Sequence, residues 1–173
     1  MFKVGSYVSY RSEGVCVISD IRDESFGMIG KQEQYYILTP VGDSKSTVFV
    51  PLANERLVSY MRPLMSAREI SEMLAEVRDC RMEWLPDSRA RNAVFREILS
   101  LGDRRELVIL VNTVSEKIEA VIAAGRKPGT TDLGALRRAE KMLYDEFSAT
   151  TDISSADKIV PLLRGEIVIG DKS

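Results

Sequence analysis

The sequence predicts an α+β protein, a small, strongly bent sheet or partial β-barrel followed by an all-α helical bundle. Two observations carry that expectation. Apolar residues fall in short β-branched and aromatic clusters as far as about Arg62, and after Pro63 they recur at three- and four-residue spacing. The composition, 45% hydrophobic and 29% charged over 173 residues, is that of a globular chain able to bury one moderate core or two small ones.

In residues 1–62 the clusters are Tyr7 to Tyr10, Gly14 to Ile18, Tyr35 to Leu38 and Thr47 to Pro51. Turn-forming stretches separate them: Ser12-Glu13-Gly14, Gly27-Met28-Ile29-Gly30 and Gly42-Asp43-Ser44. The strand from Ser46 to Val50 has one face for a small core and leaves an edge on which a partner strand could be added. Period-two alternation sets Thr47 and Phe49 on one face and Val48 and Val50 on the other.

The helical domain spans residues 66–165, with 166–173 as a tail. Ser66-Ala67-Arg68-Glu69 has the form of a capping box, and Ile70, Met73, Leu74 and Val77 follow at helical spacing. After a loop holding Trp84-Leu85-Pro86-Asp87, a helical pattern resumes from Ser88 to Leu101 through Val94, Phe95, Ile98 and Leu101. Gly102 suits a C-terminal stop, and Asp103 with Glu106 caps the next helix, which carries Leu107, Leu110, Val111, Val114, Ile118, Val121 and Ile122 and ends near Gly125. A loop over Gly125 to Gly129 leads to another amphipathic helix through Leu133, Leu136, Ala139, Leu143 and Phe147. Short loops between such helices imply antiparallel packing. A short helix is expected around Lys158 to Leu163, and Ile167-Val168-Ile169 has no derivable place.

Composition also bounds function. Histidine is absent, which removes Ser-His-Asp and Cys-His catalysis and the commonest transition-metal ligand, so a hydrolase is disfavoured and a non-enzymatic role expected. Cys16 and Cys80 are far apart without a CxxC, and are read as buried small apolar residues; neither a metal site nor any cofactor is suggested. Glu140, Asp145 and Glu146 beside Lys141 read as an exposed charged face. No stretch approaches a signal peptide or the roughly 20 apolar residues of a membrane helix, which points to a cytoplasmic protein without membrane contact. A net charge of −2 argues against coating nucleic acid through bulk positive potential, so any DNA contact is local.

The series Phe2-Lys3-Val4-Gly5, Tyr10, Gly14-Val15-Cys16-Val17-Ile18, Tyr35-Tyr36-Ile37-Leu38 and Val48-Phe49-Val50-Pro51 resembles the N-terminal domain of the CarD/CdnL family of bacterial transcription regulators. The likeness continues through Trp84, Ile98 to Leu107 and Ala139 to Phe147, over about residues 1 to 150. It implies a Tudor-like module that binds the β subunit of RNA polymerase, with Thr47, Val48, Phe49 and Val50 at the contact. It also implies a helical domain that stabilises the open promoter complex, with Trp84 wedged in the minor groove at the upstream edge of the bubble, independent of sequence. Relatives often carry basic residues directly after this tryptophan, whereas this chain has Leu85-Pro86-Asp87 and about one extra helical turn before Gly102-Asp103.

Position alone leaves alternatives. A Trp beside a Pro at a helix boundary is a packing anchor as readily as a platform for an unstacked base. Arg81, Arg89 and Arg91 suit phosphate, with Arg89 and Arg91 preferred, yet acidic neighbours allow a solvated face with pairs such as Asp87 and Arg91. Phe49 is either core or an apolar polymerase contact. The rival function is a polymerase-bound adaptor whose helices recruit another factor without touching DNA. A monomer is expected, although a free sheet edge can pair with itself.

Overall fold

A computed structural model describes residues 1–26 and 32–172. The turn expected at Gly27-Met28-Ile29-Gly30 lies outside the described residues. The chain divides into two compact units, Met1–Leu64 and Met65–Ser173, each with its own apolar core.

Unit 1 is one antiparallel five-stranded sheet, β1 Tyr7–Tyr10, β2 Gly14–Glu24, β3 Glu33–Pro40, β4 Val48–Pro51 and β5 Met61–Pro63, in the order β4-β3-β2-β1-β5. It is an open, bent sheet rather than a closed barrel, with β4 and β5 at its edges among the described residues. Alternation sends Val8, Tyr10, Cys16, Ile18, Tyr36, Leu38 and Val50 to one face, where with Met61 they form the core. A bulge between Ile18 and Asp20 inserts one residue into β2, so that Ile21 returns to the face of Ile18 and also packs on that core. The edge strand begins at Val48 and not at Ser46. Asp43 holds the preceding turn by accepting from the backbone N–H of Lys45 at 3.1 Å, while the Ser46 N–H donates to the Asp43 carbonyl at 3.2 Å. A short helix, α1 Glu55–Ser59, is capped by the Asn54 side chain.

Unit 2 contains α2 Ala67–Val77, α3 Ser88–Leu101, α4 Arg104–Ala123, α5 Thr130–Phe147 and α6 Ile159–Leu163. Ser66 and Glu69 form the capping box, which holds the Glu69 carboxyl below its usual range because it accepts from the Ser66 N–H and hydroxyl. Gly102 ends α3 in the left-handed conformation, φ 63°, where any other residue would be strained, and its N–H donates to Ile98. One residue later Asp103 caps α4. Phe95, Leu107, Leu110, Leu143, Phe147 and Ile159 are fully buried in one core, each stabilising by about 1.5–3 kcal/mol.

Three expectations for side chains are corrected. Cys16 is buried, and burial pushes its thiol up to about 12, but Cys80 is exposed just past α2. Glu146 does not belong to an exposed charged face: it lies on the core side of α5 and pairs with Arg104 at 2.6 Å, while Lys141 and Asp145 form the exposed pair. Asp87 does not pair with Arg91, because its side chain caps α3 by accepting from the Ala90 N–H at 2.7 Å.

The tail, unplaced from sequence, folds back on the bundle. Ile167 and Ile169 pack against the core, whereas Val168 between them is 92% exposed. Thr151 bridges Asp171, whose carboxylate accepts from the Ala67 N–H at 2.8 Å, a donor in the first turn of α2 that has no partner within the helix. Asp171→Ala is therefore expected to lower stability by about 1 kcal/mol. Equilibrium urea unfolding checks this, with Val168→Ala unchanged as the control.

Candidate functional site

Trp84 lies in the loop between α2 and α3, and three anchors hold that loop. The Arg78 carbonyl accepts from the Asn112 side chain at 3.2 Å, and the Met82 N–H donates to the Thr113 hydroxyl at 3.0 Å, both on α4. The third anchor is Arg91 on α3, which donates from Nη1 to the carbonyls of Leu85 at 2.7 Å and Pro86 at 3.3 Å. Its Nε and Nη2 grip both carboxylate oxygens of Asp132 at 3.0 and 3.1 Å. The same guanidinium lies over the indole, 4.3 Å from the ring centroid. Phe95 meets the ring at 6.4 Å, and the ammonium of the exposed Lys117 stands 5.7 Å from it. Trp84 is thus half-buried, with one side packed on the core and cations about it.

The candidate arginines fare differently. Arg91, expected at phosphate, is only 8% exposed and has every guanidinium nitrogen hydrogen-bonded inside the protein. Arg81 is exposed, but donates to the carbonyls of Arg78 and Cys80 and to Glu116. That last bond raises the Arg81 pKa and lowers that of Glu116. Arg89, in the first turn of α3, is exposed and has no ion pair among the described residues.

On unit 1 the second group of candidates borders the β4 edge. Val50 is 0% exposed and Val48 packs on the core, so the Val50 side chain is unreachable from solvent. Phe49 is not core. It lies on the opposite face and meets Phe26 at 5.0 Å and Tyr35 at 6.3 Å, edge to face. Thr47 is exposed immediately before the strand.

Sequence reasoning missed Asp132, Asn112, Thr113 and Lys117. They lie 28 or more positions beyond Trp84, on helices whose relative rotation no local pattern specifies. Phe26 carried a weak signal as an aromatic beside a glycine-bearing turn. Among the described residues no helix is long and apolar enough to cross a membrane, and no group of three or more Cys, Asp or Glu could hold a metal ion.

Unit 1 thus presents an open sheet whose β4 edge is flanked by the aromatic side chains of Phe49, Phe26 and Tyr35. Residues 2–65 match the family model described as the CarD-like/TRCF RID domain. Unit 1 is accordingly an RNA polymerase-interacting domain of this family, a family of interaction and regulatory modules, and the chain agrees with a CarD/CdnL-like protein. No curated protein sequence matches the chain.

The clamp around Trp84 is testable by itself. Asp132→Ala leaves the Arg91 charge buried without its partner and is expected to cost about 3 kcal/mol in urea unfolding, with a red shift of the single indole's emission. Replacing both partners, Arg91→Met with Asp132→Leu, should cost less than Asp132→Ala alone. Equal losses would show that the pair does not act as a unit.

Proposed function

We propose that this protein is a transcription regulator that binds the β subunit of RNA polymerase through the β4 edge and stabilises the open promoter complex through Trp84. The observation that carries the reading is the half-exposed indole on a loop anchored to α4 and to Arg91 of α3, which is itself tied to α5. An aromatic ring held rigid in advance can stack on an unstacked base in the minor groove at the upstream bubble edge, whatever its sequence, for about 1–3 kcal/mol. Arg91 orients the ring. Arg89 and Lys117, both exposed, are the cations available to phosphate, and Arg81 reaches it on leaving Glu116.

The mechanism is differential binding: a factor that favours the open complex over the closed one shifts the equilibrium by that difference alone. Weak intrinsic affinity for DNA suffices, because attachment to polymerase supplies the local concentration. Such a protein works in the cytoplasm, on the nucleoid. On unit 1, the unpaired side of β4 suits strand addition, with Phe49, Tyr35 and Phe26 as an apolar shelf beside it. Exposed Glu83 and Asp87 flanking Trp84 favour a second reading, in which unit 2 recruits another protein to polymerase without touching DNA.

Trp84→Ala is expected to shorten open-complex lifetime about tenfold, an effect of about 1.4 kcal/mol, while polymerase retention is unchanged. Equal lifetimes would remove Trp84 from the mechanism, and crosslinking from position 84 to protein instead of DNA would favour the adaptor. For the sheet edge, Phe49→Glu should abolish retention on the polymerase lobe in a pull-down, and Phe49→Ala should weaken it. Full retention of both folded variants would exclude this edge.

A further inference from the structure

The apolar stripe of α3 does not all enter the core. Phe95 and Leu99 are buried, but Val94, Ile98 and Leu101, at helical spacing on the adjoining flank, are only half-buried. With Met82 and Leu85 from the Trp84 loop they floor a groove of about 460 Å³ that reaches the start of α4. Cavities of roughly 300–1,000 Å³ are the size that buries ligands or anchoring side chains.

The rim of this groove is acidic. Glu83, Glu97, Asp103 and Glu106 border it, and no lysine or arginine does. Glu83, Glu97 and Glu106 are exposed, and none is paired with a cation among the described residues. Asp103 differs in being the cap of α4. Elsewhere in unit 2 exposed carboxylates are commonly paired, as Glu72 with Arg68, Glu76 with Arg105, Glu116 with Arg81 and Glu119 with Arg164. Three unmatched carboxylates thus stand together where apolar side chains also lack cover.

We infer that this groove is a docking site for a cationic amphipathic segment of a partner protein, whose apolar side chains fill the floor while lysines or arginines meet Glu83, Glu97 and Glu106. Nucleic acid is the wrong occupant, since its phosphates would face these carboxylates without an intervening cation. A second copy docked groove to groove would set the same carboxylates against one another. The inference does not depend on Trp84 touching DNA. Met82 and Leu85 belong to the loop that carries the only tryptophan, so occupancy is reported by that indole.

The test uses the full chain without polymerase or DNA. Indole emission is titrated with a synthetic helical peptide bearing leucines on one face and lysines on the other, and with its glutamate-bearing counterpart. Saturable binding of the lysine peptide is expected, with the glutamate peptide weaker by roughly tenfold or more. The double variant Glu97→Lys with Glu106→Lys should reverse that preference, and Ile98→Ala should weaken both peptides. Glu13→Lys with Glu55→Lys, an equal change of net charge on exposed positions of unit 1, should leave binding unaltered. Four results would overturn the inference: equal binding of the two peptides, no response to the groove variants, an equal response to the unit 1 variants, or an emission change on concentrating the protein alone.

Discussion

The bidentate pair of Arg91 and Asp132 is the constraint around which the second unit is arranged. One guanidinium joins α3 to the start of α5, closes two loop carbonyls and lies across the indole. A nearly buried charge is tolerable only when paired and hydrogen-bonded, and here every nitrogen of the guanidinium has an acceptor. Because Asp132 lies in the first turn of α5, the helix dipole there also favours its negative charge. Fixing the loop in this way removes the ordering entropy that a free loop would lose on meeting a partner.

That arrangement gives adjoining residues opposite characters. Trp84 faces cations, Arg91 beneath it and Lys117 beside it, whereas Glu83 and Leu85 belong to the acidic, apolar-floored groove. Cations thus stand against the ring while carboxylates border the groove, although net charge is only −2. A protein of nearly balanced charge can carry two surfaces of different selectivity when its ions are sorted in this way. Unit 1 follows a different logic. Its open sheet leaves β4 with an unpaired side among the described residues, and the alternation that turns Val48 and Val50 to the core leaves Phe49 with Tyr35 and Phe26 on the far face.

Much of the fold was legible in the amino-acid order, for local reasons. The capping box at Ser66, the cap at Asp103 and the left-handed stop at Gly102 depend on residues within a turn of each other, and α3 runs from Ser88 to Leu101 as its pattern implied. The edge strand and its facing followed from period two. Its start at Val48 did not, because the Asp43 turn draws in Ser46. The tail stayed illegible, since Asp171 gains its role from Ala67, 104 positions away.

The candidate site divides along the same line. Trp84 and the arginines were visible as residue types near a helix start, and so was a β module with a free edge. Which arginine turns inward was decided by Asp132, 41 positions from Arg91, and how far the indole is covered by Phe95, Arg91 and Lys117 together. Amphipathic spacing marks an apolar flank but not its cover, so the stripe of α3 parts into core at Phe95 and Leu99 and groove at Val94, Ile98 and Leu101. Sequence determines what is adjacent within a turn or across one strand, through hydrogen-bond reach and side-chain period. Tertiary structure alone decides which charges meet and which faces are left open, because that depends on how distant helices are rotated against one another.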